Sequence, residues 1–132
     1  MNKGFTLIEL IVVIAIIAVL SGIILFSITQ YINKGKDSNI AGNLAVLIPA
    51  GEIYYNNTNS YSGFCNNPVV TNAVSQMPPG VVLNCFVEPN NSQAWAVCVK
   101  EFANPNLAFC VDSRGVKKDI PLGSCGSIIQ CP

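Results

Sequence analysis

The side chains with most chemistry to offer in this sequence are six cysteines, Cys65, Cys85, Cys98, Cys110, Cys125 and Cys131. Thiolates bind metals, act as nucleophiles or pair as disulfides, and their spacing and company separate these uses. No two of them have the C-x-x-C spacing of a zinc ribbon, and with no histidine in the chain a mixed thiolate–imidazole site lacks its second ligand type. The missing histidine also removes the base of a Ser/His/Asp or Cys/His set. Glu52, Glu88, Glu101, Asp112 and Asp119 fit no active-site motif, and the glycines lack the spacing of a phosphate-cradling loop. Catalysis, a bound metal and a cofactor are therefore not expected. Disulfides are, and they imply a compartment more oxidising than the cytosol.

Two lesser clusters carry weaker signals. A calcium ion near Asp112 and Asp119 competes with a simpler account, in which Asp112 opens the turn Asp112-Ser113-Arg114-Gly115. Arg114, Lys117 and Lys118 form a small basic group beside that turn, for which a solvated hairpin edge is the default. Seven basic and seven acidic residues cancel, so there is no broad footprint for nucleic acid, and DNA is not expected as a partner.

The elements that must position the cysteines are short strands. Runs at 81–87, 94–100 and 107–112 have strand character, and 116–118 starts a fourth. Trp95, Val97 and Val99 alternate with Ala94, Ala96 and Cys98; Leu107, Phe109 and Val111 alternate with Ala108, Cys110 and Asp112. A turn about Asn104 would set Cys98 directly opposite Cys110 and Val97 opposite Val111. Such an opposed pair could be bridged. Strand cysteines could equally join the loop and the tail, or Cys125 and Cys131 could close a small C-terminal loop. The connectivity stays open at this point. Residues 56–80 read as a long connecting loop closed by Pro78-Pro79-Gly80.

Upstream the pattern is helical. Ile40, Leu44, Leu47 and Ile48 recur at three- and four-residue spacing, so an amphipathic helix is expected to about Tyr55, kinked near Pro49 and ended by Asn56-Asn57-Thr58-Asn59-Ser60. Ahead of it the chain is apolar on every side. Hydrophobic residues make up 51% of the whole and charged ones 11%, against roughly 25% charged in an average soluble protein. Residues 10–33 carry no charge, and 10–20 are unbroken apolar. About 20 apolar helical residues cross a bilayer core, so 10–32 can span one. A cleaved secretory signal and an ordinary signal anchor both compete for this segment. Glu9, at its very start, fits neither comfortably, because a carboxylate entering a membrane calls for a positive partner.

The residues around Glu9 supply a more specific reading. A short leader, Met1-Asn2-Lys3-Gly4, runs into Phe5-Thr6-Leu7-Ile8-Glu9-Leu10-Ile11-Val12-Val13-Ile14-Ala15-Ile16-Ile17. This resembles the N-terminus of the type IV pilin family and of the type II secretion pseudopilins that share it. The resemblance implies that a membrane-embedded prepilin peptidase cuts between Gly4 and Phe5 and that the new Phe5 amine is N-methylated. It assigns Glu9 an intermolecular partner, the amine of a neighbouring subunit, as an assembly contact. Removing the leader takes Lys3 away, leaving six basic against seven acidic side chains. Lys34 and Lys36 outnumber Lys3 at the far flank, against a simple positive-inside orientation, so the processing motif and the cysteines decide which side the head occupies. Family members often carry a Gly and then a Pro within this helix; here Ala18 and Phe26 stand at those positions, and Ser21-Gly22 is the one intrinsic weak point.

The expected fold is α+β: a long N-terminal helix, its first half membrane-spanning and its second amphipathic, packed on a small antiparallel β-meander head. The expected organisation is a leader at 1–4, a hydrophobic assembly helix at 5–32, its amphipathic continuation at 33–56 and a disulfide-containing head at 57–132. The implied function is structural: a subunit inserted in the cytoplasmic membrane, head exported, polymerised through its N-terminal helix with copies of itself or other pilins by pilus or secretion machinery. Its final place would be an extracellular pilus or a periplasmic pseudopilus. The alternatives are a pseudopilin of a secretion system and a membrane-anchored exported binding domain that never polymerises.

Overall fold

Apolar residues at helical spacing set the first element. The computed structural model describes residues 1 and 3–132; Asn2, within the expected leader, lies outside the described residues. Helix α1 spans Leu7–Thr58, and Ile40, Leu44, Leu47 and Gly51 are its buried residues. Two compact units divide the chain, Met1–Asn33 and Lys34–Pro132. In the first unit every described residue from Lys3 through Phe26 is exposed, although most of them are aliphatic. In the second, α1 continues through Pro49 and ends three residues beyond the expected stop, at Thr58 rather than Tyr55. The Thr58 hydroxyl donates to the Tyr54 carbonyl, and Asn59 takes a left-handed φ of 56°, a common way for a helix to stop.

The expectation of a structureless loop over 56–80 is corrected. A 3-10 turn at Phe64–Asn66 and a second helix, α2 at Pro68–Ser75, occupy it. The Asn67 side chain accepts from the Val69 amide and Pro68 takes the first helical turn, so the sequence Asn67-Pro68 is itself a helix start. Val70, Ala73 and Met77, spaced three and four apart, turn inward from this segment.

Four strands then form an antiparallel meander in chain order: β1 Leu83–Val87, β2 Trp95–Lys100, β3 Leu107–Asp112 and β4 Lys117–Pro121. The expected α+β arrangement is therefore the observed one. Strand alternation separates two cores. Odd-numbered residues Trp95, Val97, Val99 and Val111 join Ile40, Leu44 and Leu47 of α1 with Tyr61, Phe64 and Val70. Even-numbered Cys98, Ala108, Cys110 and Ile120 form a second layer under the C-terminal tail, with Cys125, Ile128 and Cys131 against it.

Candidate assembly site and the supports of the head

Thr6 and Glu9 stand three apart at the start of α1, the spacing of a reciprocal helix cap. The Thr6 amide and hydroxyl each donate to Glu9 Oε2 at 2.8 Å, and the Glu9 amide donates to Thr6 Oγ1 at 3.3 Å. This is a capping box, Thr-x-x-Glu, which satisfies donors that a helix start leaves open. It is a role of Glu9 that the apolar pattern hides, although the spacing is visible in the sequence. The cap aims the carboxylate back toward the chain's N-terminal side. Phe5, Ile8, Val12 and Val13 surround it in a shallow apolar recess.

The Gly4–Phe5 bond precedes this cap in non-helical chain, and both residues are exposed. A side-chain carbon added at Gly4 would meet no atom within 4 Å. The helix that follows is long and apolar enough to cross a membrane, and its most apolar stretch is unburied. An aliphatic helix with nothing covering it belongs in lipid or among neighbouring helices. Glu9, Gly4 and Phe5 are thus brought together at one helix start.

All six cysteines are paired in the head: Cys65–Cys85, Cys98–Cys125 and Cys110–Cys131, with Cα separations of 5.8, 5.8 and 6.0 Å. These separations lie in the ordinary disulfide range. Cys98 does stand opposite Cys110, and Val97 opposite Val111, as a turn about Asn104 requires. Neither a Cys98–Cys110 bridge nor a Cys125–Cys131 loop forms, however. Both strand sulfurs point into the even-numbered layer, where the tail lies over them, and each bonds one tail cysteine. The first pair ties the 3-10 turn to β1, so the reading in which strand cysteines join loop and tail is the one the structure takes.

Asp112, expected at a turn, is a fully buried hub. Its Oδ1 accepts the amides of Arg114 and Val116, and its Oδ2 accepts the Cys131 amide and the Arg114 guanidinium at 2.6 Å. Arg114 also donates to the Cys131 carbonyl. Burial pushes the Asp112 carboxyl up, but Arg114 and the amides of Cys131, Arg114 and Val116 outweigh it and hold it below the usual range. The Asp112 carboxylate is engaged by the tail and by its own turn, and Arg114 is withdrawn from the basic cluster, leaving Lys117 and Lys118 exposed. Among the described residues no group of three or more Cys, Asp or Glu is placed to hold a metal ion.

Residues 1–25 match the family model described as the prokaryotic N-terminal methylation motif. The chain is 37% identical over 65 residues to the type IV major pilin protein PilA of Myxococcus xanthus, covering 49% of this chain and 30% of that one. It is 51% identical over 44 residues to a type IV major alpha-pilin of Moraxella bovis, covering 33% and 28%. The type IV wide pilus major component PilA4 of Thermus thermophilus is 37% identical over 60 residues, or 46% of each chain. The chain spans less than half the length of each of these relatives. No solved structure matches it.

Proposed function

We propose that the chain is a member of the type IV pilin family and the structural subunit of a type IV pilus-like filament, a reading supported by the methylation-motif match over residues 1–25 and by the similarity to type IV pilins. The observation that carries this reading is the juxtaposition of an exposed, non-helical Gly4–Phe5 bond with an apolar helix left uncovered along its whole first part. A prepilin peptidase would cut that bond and methylate the Phe5 amine, removing the leader 1–4. Residues 5–32 then anchor the subunit in the cytoplasmic membrane, 33–56 continue the helix into the head, and 57–132 complete the exported head. Pilus machinery moves subunits into the fibre, where residues 5–32 of many copies replace lipid around one another.

Glu9 is the assembly contact in this reading. Its carboxylate is already aimed toward the chain start by Thr6, and in an apolar layer an opposite charge attracts it far more strongly than in water. The amine of a neighbouring Phe5 is that charge, and it fixes the axial register between subunits.

Mass spectrometry of the mature N-terminus together with Glu9→Val tests the proposal. The mature chain should begin at methylated Phe5, and Glu9→Val should insert and fold normally yet be depleted from sheared surface fibres. An intact Met1, or a chain absent from fibres at normal expression, removes the filament assignment. Normal incorporation of Glu9→Val removes only the role of Glu9.

A further inference from the structure

Three carboxylates converge on a cleft of about 220 Å³ between α1 and the sheet, lined by Asp37, Ser38, Ile40, Glu101, Phe109 and Asp119. Asp37, on α1, uses both of its oxygens: it accepts the Phe102 amide at 2.6 Å and the Ala103 amide at 2.9 Å. The loop leaving β2 is thereby fastened to the helix. Lys36 adds to the hold, its ammonium lying 4.7 Å from the centre of the Phe102 ring. Glu101, immediately before this loop, lies on the odd-numbered sheet face that looks toward α1. Asp119 of β4 shares that face, with Phe109 as its pairing partner on the strand between them.

We propose that Glu101 is the proton-sensitive element of a latch that holds the loop at residues 102–106 onto α1, closed when Glu101 is protonated and loosened when it is ionised.

The charges around Glu101 are unbalanced in one sense. From α1 it meets Asp37, with Lys36 turned to the Phe102 ring; from β4 it meets Asp119, with Lys117 the next residue on the same face; β3 offers the uncharged Leu107 and Phe109 there. Lys100 precedes it on β2 and lines a second cleft, with Val82 and Pro105, that Glu101 also borders. The loop itself contributes no ionisable side chain. Burial first, then Asp119 and then Asp37 push the Glu101 carboxyl up to about 7. With the proton on, the cleft holds two negative charges and Asp37 is free to accept the two amides. With the proton off, a third charge enters the same space, and the repulsion is relieved by parting the loop and β4 from the helix. This device belongs to the head alone and goes beyond the filament reading.

The test is amide hydrogen exchange on the full chain in detergent micelles, corrected for the intrinsic effect of pH. Protection of the Phe102 and Ala103 amides should fall by about fivefold or more between about pH 5 and about pH 8.5, the range expected of a modest coupling free energy. The Cys131 amide, held by Asp112, serves as the unchanged reference. Glu101→Gln, which keeps the shape, should retain the acid level of protection throughout. Asp119→Asn should move the midpoint of the change to lower pH, because it removes a neighbouring carboxylate that holds the Glu101 proton on; a midpoint that does not move, or that rises, overturns the latch. Protection that does not vary with pH in the unaltered chain overturns the latch, as does a Glu101→Gln chain that loses protection over the same range.

Discussion

Gly51 of α1 and Trp95 of β2 pack so closely that a side-chain carbon at Gly51 would lie 2.8 Å from the indole Nε1. Trp95 is fully buried, its Nε1 has no hydrogen-bond partner among the described residues, and its ring packs against Phe64 and Tyr61. An alanine at an ordinary helical glycine stabilises by about 0.5–1 kcal/mol. At Gly51 the overlap reverses the sign: Gly51→Ala should cost about 1–3 kcal/mol, the usual range for overfilling a packed core. Gly42→Ala is the matched comparison, because nothing lies within 4 Å of its added carbon, and it should stabilise. Thermal denaturation followed by tryptophan fluorescence separates the two, and equal shifts in one direction would refute the close contact.

Asp112 predicts a loss of stability at acid pH. Its folded carboxyl sits below its ordinary value of 3.8, so its contribution is present above that value and disappears as the pH falls through the lower, folded one. Asp112→Ala strands the Arg114, Val116 and Cys131 amides and should cost about 1–3 kcal/mol at neutral pH, with a shallower acid transition than the parent. An unchanged acid transition in the variant would show that other carboxylates set it.

Glu101 works in the opposite direction. Its folded value of about 7 stands above the ordinary 4.5, so the stability it confers is complete below about 4.5 and is lost as the pH rises through about 7. Denaturation midpoints measured across this range should decline toward neutrality, and Glu101→Gln should flatten the decline.

The disulfide pattern is open to direct mapping. Non-reducing digestion with a protease of broad specificity should release Cys65 with Cys85, Cys98 with Cys125, and Cys110 with Cys131. Alkylation before reduction should label no thiol. A Cys98–Cys110 or Cys125–Cys131 peptide would place the tail elsewhere than over the even-numbered layer.

Much of this was legible in residue spacing, and the exceptions share a cause. The register that sets Cys98 against Cys110 follows from two alternating runs and one turn, both local in sequence. The choice of sulfur partners does not, because it depends on where residues 125–131 cross a sheet far from them along the chain. Helix α2 has an Asn-Pro start but few residues, and its polar surroundings resemble loop composition. Asp112 looked like a turn residue and is one; its burial depends on the tail and so is invisible locally. At the N-terminus the Gly4–Phe5 junction and Glu9 stand out against the apolar run, whereas the Thr6–Glu9 cap is masked in the sequence by the apolar residues between its two members.

The placement of the disulfides has a mechanical consequence. All three lie between Cys65 and Cys131, and none joins a residue of α1. Tension entering along the helix is therefore carried to the sheet first by side-chain packing and hydrogen bonds, at Asp37, Leu44, Leu47 and Gly51, and by the backbone to Cys65 once these give way. Beyond Cys65 the covalent cross-links cap how far the chain can pay out. Under load the helix would peel from the sheet first, and a head that has let go of its helix would remain a short, cross-linked knot able to close again when the pull ends.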